Sequence, residues 1–285
     1  MNKIYACIDG SRNTAAVVDW AAWCAMQLAV PLELLHVLER HPERGTHDDL
    51  SGAIGLDAQE QLLKELSELD ARRSRLAQEA GSQLLAAARQ RATAAGALQV
   101  DGRMRHDDFI ASVLDMEPDA RLFVLGQHSH VPDRATRHLD HHVERVLRAV
   151  KRPVLVASGA PFVAPERFVI AFDGSVTARK MVETVARSPL LAGMPATLAM
   201  SGRESPEVRA QLDAAQAVLR AAGFAVDVIL REGEPEDILP DVVAQANASL
   251  LVMGAYGHSR IRQLVVGSTT TLLLRLSTVP VLILR

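Results

Sequence analysis

The chain is written twice, and that constrains its fold more than any other feature. "KIYACIDGS", starting at Lys3, matches "RFVIAFDGS", starting at Arg167, so that Asp9 falls on Asp173, an offset of 164. "VPLELLHV" then matches "MPATLAMS", with Pro31 on Pro195, again 164 apart. Later the offset drops. "DARLFVLG" ends at Gly126 and "NASLLVMG" at Gly254, 128 apart, while "RPVLVAS" and "VPVLILR" place Pro153 on Pro280, 127 apart. A period of this kind marks a repeated architectural unit rather than one irregular domain. The drop from 164 to 128 means that the first copy carries about 36 extra residues, expected within 41–75.

Each copy alternates short apolar runs with helical patterns. In the second copy, strands are expected at Phe168–Phe172, Thr197–Ser201, Val226–Arg231, Leu250–Gly254 and Val279–Leu284. Helices fall in "TARKMVETVARSPLL" and in "SPEVRAQLDAAQAVLRAAG", whose Gly223 suits a C-cap. This alternation predicts an α/β fold of two tandem, open, doubly wound parallel five-stranded sheets. Apolar residues make up 48% of the chain and aromatics only 4%, which suits parallel strands under Ala/Leu-rich helices. The domains are expected at 1–158 and 165–285, joined by the Pro-containing stretch Ala157–Arg167. Within the extra segment, Leu62, Leu63, Leu66 and Leu69 have helical spacing. That helix either packs on its own domain, the simpler reading, or covers a cleft or docks a partner.

Charge narrows the function classes. With 31 basic and 34 acidic residues the net charge is -3, and no basic stripe points to nucleic acid. No apolar run reaches the ~18 residues of a membrane helix, and "MNKIYACIDGS" reads as a first strand rather than a leader, so a cytoplasmic protein is expected. Cys7 and Cys24 lack metal or redox spacing and read as buried thiols.

The most informative segment is "VMGAYGHSRIRQLVVGSTTTLLLRLSTVPVLIL". A strand ends at Gly254, Gly257 follows, nine residues intervene, and Gly267 and Ser268 open a helix with Thr269 and Thr270 in its first turn. Free amides and the helix dipole make such a terminus attractive to an anion. Asp173 ends the first strand at the same sheet edge, where open α/β folds bind ligands, and could accept hydrogen bonds from a ribose or an adenine amino group. His258 and Arg260 lie in the nine-residue interval with Arg262; the arginines either contact phosphates or form a solvated face. The bland reading makes Ser268 and Thr269 simple caps. There is no GxxxxGK[ST], no lysine placed on a γ-phosphate and no evident acidic partner for magnesium, which counts against efficient hydrolysis.

These residues resemble the universal stress protein family, whose nucleotide-binding members carry G-2x-G-9x-G-(S/T). Gly254, Gly257, Gly267 and Ser268 match it, and Asp173 matches the family's first-strand aspartate. The resemblance covers both copies, so it is to the tandem type. It implies a Rossmann-like fold and ATP, ADP or AMP in the second copy, with or without Mg, the adenine near Asp173, Met200 and Ser201. It also implies pairing of the final strands as an intrachain pseudo-dimer, with homodimers in view, and a stress-response binding module with at most weak ATP hydrolysis. A slow ATPase or nucleotidyl transferase, and a scaffold with vestigial sites, are the alternatives.

The first copy departs from the pattern. Ser129 stands for the second glycine, and Asp140 and His141 stand near the third glycine and its serine. A carboxylate there repels phosphate, so no ATP is expected in this half. His138 and His142 have the i, i+4 spacing of a metal pair, but Arg134, Arg137 and Arg145 oppose a cation, and a solvated loop is the simpler reading.

Overall fold

The computed structural model describes residues 2–39, 56–127, 140–255 and 268–285, with the backbone alone described at 56–60, 62 and 268. The first half runs β1 (Lys3–Cys7), α1 (Thr14–Leu28), β2 (Leu32–Val37), α2 (Leu56–Ala94), β3 (Val100–Arg105), α3 (Phe109–Met116), β4 (Ala120–Gly126), α4 (His141–Ala149), β5 (Val154–Ala157). The second runs β6 (Phe168–Ala171), α5 (Val176–Arg187), β7 (Ala196–Ser201), α6 (Pro206–Ala221), β8 (Val226–Arg231), α7 (Pro235–Gln245), β9 (Leu250–Gly254), α8 (Ser268–Leu276), β10 (Val281–Leu284). The five strands expected in the second half are all present; the last starts at Val281, just past Pro280, which has no amide for the ladder.

The strands form one sheet in the order β3-β2-β1-β4-β5-β10-β9-β6-β7-β8. Neighbours within each half are parallel, whereas β5 and β10 pair antiparallel, Leu155 opposite Leu282. The two five-stranded units thus run on into a single sheet. Side chains alternate between its faces. Leu282 and Leu284 join Trp20, Leu198 and Met181 under α1, α5 and α6, while Val281 and Ile283 join Tyr5, Phe123 and Leu273 under α3, α4, α7 and α8. Burial on both faces explains why the strands read as continuous apolar runs.

Local chemistry sets the helix ends. Ser175 accepts the Ala178 amide (3.0 Å) at the start of α5, and Ser205 caps α6 before Pro206. α6 ends at Ala221, with Gly223 in the left-handed region (φ 90°) just beyond, the position where glycine carries least strain.

The extra segment differs from its expectation. α2 is one 39-residue helix that continues well past residue 75, and 40–55 lie outside the described residues. Its C-terminal part packs on the first half: Arg91 makes a bidentate pair with Asp19 (2.7 Å each), and Gly81 lies against His36 and Met104. Its N-terminal part does not pack as the simpler reading had it. Leu63, Leu69 and Leu76 are 48%, 49% and 64% exposed.

Candidate functional site

Parallel strands direct their carboxyl ends to one edge, and the candidate residues collect there. β6 stands between β7 and β9. Ala171 lies opposite Ala199 and the Phe172 amide bonds to the Ala199 carbonyl (2.8 Å), so the register continued by two residues sets Asp173 beside Ser201. Gly254 closes β9 at the same edge. The chain then turns at Gly174, whose φ of 71° favours glycine. Asp173 Oδ1 accepts the Ser175 amide (3.0 Å), which anchors the carboxylate at this turn. Gly10 in the first half repeats this turn at φ 78°, with Asp9 accepting the Ser11 amide (2.9 Å).

Next to Asp173, Met200 is buried and Ser201 donates its hydroxyl to the Gly233 carbonyl. Ser201 is thereby tied to the turn after β8, an interaction that the first half lacks together with its glycine. α8 begins at Ser268. Thr269 is exposed in its first turn, and Thr270 is buried with its hydroxyl 3.5 Å from the Gly254 carbonyl. Thr270 therefore ties the helix start to the end of β9, a role the sequence reading missed; its place one turn behind the loop glycines was the available signal. Asp173, Met200, Ser201, Gly254, Ser268 and Thr269 are thus brought to one edge. Gly257, His258, Arg260 and Gly267 lie outside the described residues, as does Arg262.

The equivalent place in the first half is closed differently. α4 starts at His141, and Asp140 Oδ1 accepts the amides of His142 (2.8 Å) and Val143 (3.3 Å). The helix terminus thus holds its own carboxylate at the amides a phosphate would need. In front of it is a cavity of about 420 Å³, lined by Asp9, Glu39, Asp140, His142 and Phe109, with Ala77 of α2 on one side. Its described lining has three carboxylates and no lysine or arginine. His142 stacks edge-on against Phe109 (4.9 Å between centroids), with Nδ1 3.9 Å from Glu39. His138, its suggested metal partner, lies outside the described residues. Glu39 and Phe109 escaped the sequence reading, although Glu39 follows β2 at the ligand edge.

The two thiols are buried, Cys7 at 8% and Cys24 at 0% exposure. Burial pushes Cys7 up to about 12 and Cys24 upward as well, so neither is a nucleophile at neutral pH. No helix of the described residues is long and apolar enough to cross a membrane.

Comparison with known proteins gives this geometry a family. The model of the universal stress protein family matches residues 1–158 and again 184–285. The chain belongs to the universal stress protein family. The family model matches it in two regions, as expected of the tandem type. Universal stress protein Slr1230 of Synechocystis sp. (strain ATCC 27184 / PCC 6803 / Kazusa) is 33% identical over 288 residues, spanning 100% of both chains. Among solved structures, a universal stress protein from Archaeoglobus fulgidus DSM 4304 superposes over 100% of this chain and 96% of its own, with a TM-score of 0.69 and 19% identity. A functionally unknown protein from Pseudomonas aeruginosa PAO1 covers 100% and 92%, with a TM-score of 0.62 and 16% identity. At these identities the structural likeness speaks to fold.

Proposed function

We propose that the second half of this universal stress protein binds one adenine nucleotide, ATP, ADP or AMP, and that the chain works as a nucleotide-linked stress-response module rather than a dedicated catalyst. The observation that carries this reading is the meeting of Asp173, Ser201, Gly254 and the first turn of α8 at one carboxyl edge. Asp173, fixed by the Ser175 amide, accepts from the adenine amino group or ribose. Met200 offers the base an apolar side. Gly257, Gly267, Ser268 and Thr269 receive the phosphates at the helix terminus, with His258 and Arg260 contributing charge and donors. Magnesium, where present, comes bound to the phosphates.

The same reading divides the chain into domains at 1–158 and 165–285 and treats them as an intrachain pseudo-dimer. The antiparallel β5–β10 junction supports that view, and a homodimer would add a further interface. The first domain takes no nucleotide, because Asp140 already holds its helix amides.

Calorimetry with ATP and AMP, with and without magnesium, tests this on wild type and Gly267→Asp, which imitates the first half. One nucleotide per chain, lost in the variant, is the expected result. No binding at millimolar nucleotide would overturn it and favour a scaffold with vestigial sites.

A further inference from the structure

A second cavity, of about 490 Å³, lies where the two halves join. Its floor is the β5–β10 seam and the neighbouring strand start, with Leu122, Pro153, Leu282 and Leu284, and Leu28 at the end of α1 closes one side. It occupies the face covered by α1 and α5, whereas α8 packs on the opposite face. No candidate nucleotide residue lines it.

The charge around this apolar floor is one-sided. Arg121 and Arg152 come from the first half, Lys180 and Arg187 from α5, and Glu183 is the opposing side-chain carboxylate. Arg285 also belongs to the lining. Glu183 is already 3.6 Å from Arg187. Arg152 is held by two neutral acceptors, the carbonyls of Glu117 (3.2 Å) and Pro118 (3.3 Å), which position its guanidinium without cancelling its charge. Arg121, Arg152 and Lys180 thus stand together around a concave surface of mixed polar and apolar character, in a chain whose net charge is -3. Low-dielectric walls concentrate such a field and favour an anion.

We propose that this junction cavity binds a small organic dianion, a phosphate or dicarboxylate attached to a compact apolar body, with its charge shared between the halves. The apolar body lies against the apolar part of the lining, with the half-buried Leu28 at its side. The charged group meets Arg121 and Arg152 of one half and Lys180 of the other, so that the ligand bridges the seam. The site is independent of the nucleotide edge.

The probe is 1-naphthyl phosphate, titrated by fluorescence and calorimetry against the full chain. Wild type should bind it saturably, less tightly as salt rises. Arg121→Ala/Lys180→Ala removes two exposed side chains and should bind at least about fivefold more weakly, with an unchanged circular dichroism spectrum and melting point showing that it folds. Arg72→Ala/Arg73→Ala removes the same charge from exposed positions on α2 and should bind as wild type does. Gly267→Asp should also retain the probe. The proposal is overturned by the absence of saturable binding at millimolar probe, by an equal loss in the α2 control, or by loss in Gly267→Asp, which would put the probe at the nucleotide edge.

Discussion

Raising the pH from 8 to 10 should weaken this protein through two residues that touch no ligand. Cys24 is buried between α1 and the sheet and Cys7 on the sheet's other face, and burial holds both thiols protonated above the ordinary value of 9.0, Cys7 up to about 12. Unfolding releases them to ionise. Above pH 9 the unfolded chain therefore binds fewer protons than the folded one, so stability falls as pH rises. The size of the effect depends only on the unfolded thiol, provided the folded value lies well above 10. Each cysteine then costs about 1.4 kcal/mol between pH 8 and pH 10, and the pair about 3 kcal/mol. Tyr5, pushed up to about 12 chiefly by burial, adds only about 0.4 kcal/mol by pH 10, because an unfolded tyrosine is then half ionised. Lys3, raised by its hydrogen bond to Glu33, keeps its stabilisation below 10.5 and loses it only as pH rises through its raised value. The assay is urea unfolding at pH 8 and pH 10 for wild type and Cys7→Ala/Cys24→Ala. The variant starts less stable, but its loss between the two pH values should be smaller by about 3 kcal/mol. Equal losses in both proteins would refute the argument.

The cap of α4 and the close approach of α2 can be tested in the same way. Asp140→Ala should lose about 1–2 kcal/mol in urea unfolding, whereas Asp140→Asn, which keeps an acceptor, should stay within about 0.5 kcal/mol of wild type; equal losses would show that the two amide bonds are not the source. Gly81 lies inside a helix, where alanine ordinarily gains about 1 kcal/mol. Here an added Cβ would stand 2.8 Å from His36 Cδ2 and 2.9 Å from Met104 Cε, so Gly81→Ala should instead lose about 1–3 kcal/mol, and a gain in the melting curve would contradict the packing.

Much of the fold was legible because parallel strands buried on both faces leave short apolar runs, and the constant offsets set those runs in register. The extent of α2 was not legible. The residues between Arg75 and Ala94 hold no proline, and the single Gly81 is tolerated, so the added helix continues into the part that packs on the first half without a visible boundary. Its leucines misled for a related reason. A three-and-four spacing gives a helical face but does not supply something to cover it. At the site, Asp173 and Ser268 were readable because each stands beside a glycine near an element's end or start, and Gly254 because it closes a strand. Thr270 and Glu39 were not, since their importance depends on which strand end lies beside them. The junction cavity was invisible for the same reason: Arg121, Arg152 and Lys180 come from separate segments that the sheet order alone brings together.

Two helices at equivalent places, α4 and α8, start 127 residues apart, at His141 and Ser268. Each points its amides at the carboxyl edge of its own five strands, and each terminus carries the same partial positive charge. What differs is who supplies the negative charge. In α4 it is covalently attached, through Asp140, and an attached carboxylate two bonds from the backbone faces no loss of translational freedom when it docks. A phosphate arriving from solution must displace it and bear its repulsion. In α8 the residue at that position is Gly267, with no side chain to occupy the amides. The two termini therefore differ in chemistry: Asp140 satisfies the amides of α4 with its own carboxylate, whereas a glycine stands at the matching position before α8. The pairing of β5 with β10 joins these two unlike halves in a single sheet.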